Sequence, residues 1–175
     1  KDTYGILAVR LARRNYSVGV FDLCGESVKV IRRAVALGQN PDSTVQHIFE
    51  DIGNLMEELS SREYLAIGIA LPGPYSIKSG RIEIMTGTTG WKEIPIASRF
   101  EERFHLPVFI EQDANAGALA QYWKYEEDHS GQMLVYLAIG PGIGAGIIHR
   151  GEVLRGAIGI AGEVGHMSKI GRAHV

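Results

Sequence analysis

The stretch from Ile139 to His166 constrains this chain more than any other. A glycine-rich run, Gly140-Pro141-Gly142-Ile143-Gly144-Ala145-Gly146-Ile147, precedes a second cluster that ends Ala161-Gly162-Glu163-Val164-Gly165-His166. Glycines at this density let a backbone take positive φ and approach other groups closely. A carboxylate and an imidazole close the cluster, and Glu111-Gln112-Asp113-Ala114-Asn115 lies upstream. Polar side chains beside tight glycine turns read as a binding site rather than as turns alone.

Organisation along the chain fits that reading. Residues 5–11, 16–23 and 27–35 are rich in β-formers and separated by short polar or glycine breaks, as in an antiparallel meander. Pro41-Asp42-Ser43 starts a helix in which Val45, Ile48, Phe49, Ile52, Leu55, Met56 and Leu59 recur at three and four, giving one face to pack on a sheet. The apolar run 64–71 ends in Pro72-Gly73-Pro74, a buried strand delivering a loop at its carboxyl end, where ligands commonly bind. A short strand at 81–85, the turn Thr86-Gly87-Thr88-Thr89-Gly90, a helix at 96–104 and a strand at 108–110 follow. Asp113 opens a helix that runs to Tyr125, and the carboxylate suits a cap. After a polar stretch at 126–131, strands at 133–139 and 145–149 begin a second meander, so a lobe boundary is drawn at 128/129.

With 45% hydrophobic and 22% charged residues, the 175 residues can bury a substantial core. The formal net charge of −2 comes with dispersed basic residues, which implies no surface-wide field for nucleic acid or acidic membranes. Cys24 is the only cysteine, which excludes an internal disulfide and a cysteine-rich metal site and suits a reducing cytoplasm. No apolar run reaches the roughly 18 residues of a membrane helix. The chain has no initiating Met and stops soon after His166, so it is expected to be part of a longer protein.

Glycine spacing, the Gly-Glu-x-Gly-His ending and the Asp-Ala-Asn element occur in the order found in the ROK family (repressors, open reading frames and sugar kinases), which the chain resembles over nearly its whole length. The resemblance implies an α/β actin-like ATPase (ribonuclease H-like) fold, with residues 1–128 as the N-terminal lobe and 129–175 as the start of the C-terminal lobe. It also implies a sugar site at Gly73, Gln112, Asp113, Glu163 and His166. In ROK kinases the aspartate matching Asp113 is the base that takes a proton from the sugar hydroxyl, and in ROK repressors it accepts from a sugar hydroxyl. An ordinary cap would use the same residue. Gln112 stands where the family more often has asparagine, and its extra methylene moves the amide outward. Glu163 matches a glutamate that binds sugar hydroxyls, and His166 a zinc ligand bordering the pocket. That zinc site needs three downstream cysteines that this chain does not contain, so zinc belongs to the full-length protein only. Pro72-Gly73-Pro74 matches a loop whose backbone approaches the sugar, although a plain turn uses such residues too. Thr88-Thr89-Gly90-Trp91 matches a segment that closes over the sugar, with Gly87 replacing the usual asparagine and Trp91 read as packing.

The phosphate side departs from the kinases. They carry Asp-x-Gly-Gly-Thr at the first turn, supporting magnesium and cradling phosphates. Alignment through Phe21-Asp22-Leu23 puts Arg10-Leu11-Ala12-Arg13-Arg14 there. Gly-Thr-Gly becomes Gly140-Pro141-Gly142, and the proline removes a hydroxyl and an N–H donor. The pattern is similar to the sugar-sensing domain of ROK transcriptional repressors. It implies a small sugar effector between the lobes, operator DNA bound by an upstream winged helix-turn-helix outside this chain, a homo-oligomer, a cytoplasmic location and no ATP, magnesium or membrane. The alternative is an ATP-dependent hexose kinase with Asp113 as base; a scaffold that binds neither ligand ranks below both.

Overall fold

The computed structural model describes residues 3–12, 14–35, 40–73, 75–76, 81–82, 90–124, 133–140, 142–157 and 159–167. The chain divides into two compact units, Lys1–Asp113 and Ala114–Val175.

In the first unit, β1 (Tyr4–Leu11), β2 (Asn15–Phe21) and β3 (Ser27–Ala34) form the expected antiparallel meander. β2 stops at Phe21, short of the expected residue 23, because Asp22 turns the chain. Its Oδ1 accepts the Cys24 and Glu26 amides, each at 2.9 Å, and its carbonyl accepts the Gly25 amide at 3.0 Å. The sheet continues with β4 (Glu63–Leu71), parallel to β1, and ends with β7 (Val108–Gln112), parallel to β4, in the order β3-β2-β1-β4-β7. Between them lie the two-residue strands β5 (Tyr75–Ser76) and β6 (Arg81–Ile82); the rest of the strand expected at 81–85 lies outside the described residues.

Helix α1 (Pro41–Glu58) starts as its sequence dictates. Asn40 Oδ1 accepts the Asp42 amide at 2.9 Å, and Pro41 occupies the first turn, where its missing N–H is no loss. Val45, Ile48, Phe49, Ile52 and Leu55 are buried in the same core as Leu7, Val9, Val18, Ile67 and Leu71. Each such side chain contributes roughly 1.5–3 kcal/mol through burial. α2 (Ile96–Phe104) joins this core through an aromatic cluster: Phe49 meets Phe100 edge-on at 4.9 Å and Phe104 at 5.4 Å.

A polar network joins buried Tyr16 and Asp51 to the exposed Arg33 at the edge of this core. The Tyr16 hydroxyl donates to Asp51 Oδ2 at 2.8 Å, and Arg33 donates from Nε at 3.2 Å and Nη2 at 3.0 Å. Burial alone would raise the Asp51 pKa; hydrogen bonds from Arg33 and Tyr16, with the Arg33 and His47 charges, outweigh it and hold the carboxyl below its ordinary range. Burial and the neighbouring carboxylate push the Tyr16 phenol upward.

The second unit contains α3 (Asp113–Lys124, whose first residue falls in the first unit), β8 (Met133–Ile139), β9 (Ile143–His149) and β10 (Glu152–Val153), the strands ordered β10-β9-β8. The division at 113/114 lies upstream of the boundary drawn at 128/129 because α3 packs on this sheet. A Cβ on Gly146 would run into the Ala114 carbonyl and the Ala118 methyl, so only glycine lets strand and helix approach this closely. Among the described residues, no helix is long and apolar enough to cross a membrane.

Candidate functional site

In the first unit, strand register brings three of the expected site residues together. Leu71 pairs with Gln112, so β4 and β7 end at one level. Gly73 follows β4 with φ +85°, a conformation that favours glycine, and Asp113 follows β7 directly. β7 outruns the expected end at residue 110 and carries Gln112 into the sheet, where only 7% of it is exposed. Asp113 is itself the first residue of α3, half-buried, with its carboxylate in the turn where the helix dipole favours negative charge. Glu111 Oε1 accepts the Gln112 amide at 3.0 Å. Carboxylate and amide side by side can accept from and donate to adjacent hydroxyls, and the carboxylate can take a proton from one. Sequence reasoning assigned nothing to Asn115, which is also buried in the first turn of α3; its only signal was its place in Asp-Ala-Asn.

In the second unit, the glycine cluster closes onto β9. The Gly162 carbonyl accepts the Ala145 amide at 2.7 Å. Gly162 has φ +95°, and a Cβ there would overlap the Ala145 carbonyl oxygen. This fixed turn carries Glu163 into the 3₁₀ turn Val164–His166, with His166 Nε2 4.0 Å from the Glu163 carboxylate. His166 is 87% exposed. A tetrahedral zinc site needs three more ligands, and no group of three His, Cys, Asp or Glu side chains comes together among the described residues, so no chemistry is assigned to a metal here.

At the first turn, Arg10 is exposed near the carboxyl end of β1 and Leu11 is buried. The Ala12 amide donates to Asn15 at 2.8 Å, and the Val35 amide donates to the Arg14 carbonyl at 2.8 Å, which ties the turn to the end of β3. Trp91 is 6% exposed within the core, as a packing residue should be. Arg13, Pro74, Gly87, Thr88, Thr89 and Pro141 lie outside the described residues.

The ROK family model matches residues 6–173. The chain belongs to the ROK family. It is 32% identical to a xylose repressor of Caldicellulosiruptor bescii over 95% of this chain and 42% of that protein. It is 36% identical to a glucokinase of Halalkalibacterium halodurans over 63% of this chain and 33% of that protein. The chain thus spans less than half the length of either. Among solved structures, a ROK family transcriptional regulator described as a homolog of the E. coli MLC protein superposes with a TM-score of 0.81 at 24% identity, over 98% of this chain and 43% of that one. The fold is the α/β actin-like ATPase fold of the ROK proteins.

Proposed function

We propose that this chain is the sugar-binding effector domain of a ROK-family transcriptional regulator of carbohydrate metabolism. The observation that carries the reading is Arg10, an exposed cation close to the end of β1 where the family's kinases place the carboxylate of Asp-x-Gly-Gly-Thr. Leu11 and Ala12 follow it where that element continues toward its glycines. Magnesium-dependent phosphoryl transfer relies on such a carboxylate and a backbone cradle. Gly73, Gln112 and Asp113, by contrast, lie at the ends of β4 and β7, which supports the reading in which the Gln112 amide and the Asp113 carboxylate would meet sugar hydroxyls. The reading includes Glu163 as a further hydroxyl partner, and His166 as a zinc ligand once the full-length protein adds three more. Operator DNA would be bound by an upstream domain in a cytoplasmic homo-oligomer.

A sugar kinase is the second reading. The glucokinase relatives favour it, and so does Asp113, whose place after β7 suits a base. Thermal unfolding of the intact protein with glucose, xylose and N-acetylglucosamine, with and without magnesium-ATP, separates the two, because a ligand that binds only the native state raises its stability by mass action. Stabilisation by a sugar alone, lost in Asp113→Asn, fits the sensor. A shift that requires magnesium-ATP fits the kinase.

A further inference from the structure

The arginines of the N-terminal strands are spaced apart in the sequence, but strand register gathers them. β1, β2 and β3 pair so that Arg10, Ser17 and Arg32 lie side by side, and the Val35 amide donates to the Arg14 carbonyl, which sets Arg14 beside the end of β3. Arg10, Arg14 and Arg32 are all exposed and stand at one end of the meander. No carboxylate pairs with them among the described residues. The acidic residues of the meander, Asp22 and Glu26, sit beyond the far end of the seven-residue strand β2. That is roughly 20 Å away, well outside the ~8 Å screening length of physiological salt. Of the other carboxylates, Glu111 stands two strands from Arg10. Glu50 and Asp51 line a cavity with Arg33 on the helix-covered side, where Asp51 holds Arg33. A protein of net charge −2 therefore gathers three guanidinium groups without carboxylate partners at one corner of its first unit.

We propose that this corner is a docking surface for the phosphate backbone of DNA, adding sequence-independent contacts to those of an upstream DNA-binding domain. The inference rests on the transcriptional-regulator reading and assigns the effector domain a share of the DNA binding. Arginine suits phosphate because its planar fork can donate two parallel hydrogen bonds to two oxygens. Arg10 and Arg32 are two strands apart, which puts their Cα atoms roughly 10 Å apart and lets each guanidinium take a different phosphate. Half-buried Ser17 lies between them and exposed Asn15 beside them, both of types that hydrogen-bond phosphate oxygens. Leu11 and Tyr16 are buried, so among the described residues of this corner no large apolar side chain is presented to lipid, which separates it from a membrane-binding surface.

Fluorescence anisotropy of a labelled 40-bp random-sequence duplex, titrated with the intact protein between 50 and 200 mM salt, tests it. Each phosphate contact contributes about 0.9 to the slope of log affinity against log salt. Arg10→Gln, Arg14→Gln and Arg32→Gln combined should make the slope shallower by roughly 2–3 and weaken binding at least tenfold at the lowest salt, with an unchanged melting temperature. The same three positions changed to Lys should keep most of the slope. Arg10→Gln alone should lower the slope by about 1, whereas Arg103→Gln, which removes an exposed arginine from α2, should leave it unchanged. An unchanged slope in the triple Gln variant overturns the inference and leaves the regulator standing. Equal losses in Arg10→Gln and Arg103→Gln also overturn it, because net charge rather than this corner would then be responsible. Tighter binding to vesicles of anionic phospholipid than to the duplex, with the same dependence on the three arginines, overturns it in favour of a membrane. If the intact protein binds no duplex at 50 mM salt, the regulator reading falls with it.

Discussion

Leu71 and Gln112 are register partners, so Gly73 and Asp113 leave adjacent parallel strands at the same level. Neither residue reaches that place through local sequence. The apolar run of β4 and the extension of β7 through a buried Gln112 fix it together. Asp113→Asn keeps the size of the side chain and removes its charge. Hydrogen bonds to charged groups are worth roughly 1.5–3 kcal/mol, so sugar affinity should fall about tenfold or more, measured by titration calorimetry. The midpoint of unfolding without ligand should move by only a few degrees.

The Tyr16–Asp51–Arg33 network ties β2 and β3 to α1. Tyr16→Phe should lower the unfolding free energy in urea by about 1 kcal/mol, and Asp51→Ala by about 2–3 kcal/mol, because it leaves the Tyr16 hydroxyl buried without its acceptor. Since the folded Asp51 carboxyl is held below its ordinary value of 3.8, its contribution is complete above that pH and is lost as pH falls through the folded value. The stability difference between the wild type and Asp51→Asn should therefore shrink below about pH 4. A difference that grows in acid would contradict the network's charge assignment.

Backbone contact dominates the glycine cluster of the second unit. Gly162→Ala adds a methyl at φ +95° against the Ala145 carbonyl, and Gly146→Ala adds one against α3. Strain and overpacking of this kind each cost about 1–3 kcal/mol. Both variants should melt lower, and hydrogen exchange should speed up in β9 while β1 and β4 of the other unit keep their protection.

Phe100 joins α2 to α1 through Phe49 and is 1% exposed. Phe100→Ala should cost about 3–5 kcal/mol by chemical denaturation. A loss below 1 kcal/mol would mean that α2 contributes little to this core.

Much of the fold was legible because it is written in local periods. The three-and-four spacing of Val45, Ile48, Phe49, Ile52 and Leu55 marks α1, and the bounds of α2 and β8 match the expected 96–104 and 133–139. The glycine and Gly-Glu-x-Gly-His spacing was enough to indicate the family that residues 6–173 match. Long-range partnerships were not legible. Tyr16 and Asp51 lie 35 positions apart, and neither residue type announces a buried pair. The packing of α3 on β9 through Gly146 likewise sets the division between units at 113/114, away from the polar stretch at 126–131.

Bound sugar and released ADP, measured in one solution of the intact protein with saturating magnesium-ATP across the same sugars, separate a sensor from a kinase. A sensor domain should show saturable sugar binding with no sugar-dependent ADP release. Sugar-dependent turnover at about 1–100 s⁻¹, abolished in Asp113→Asn, would contradict it and make this chain part of a kinase.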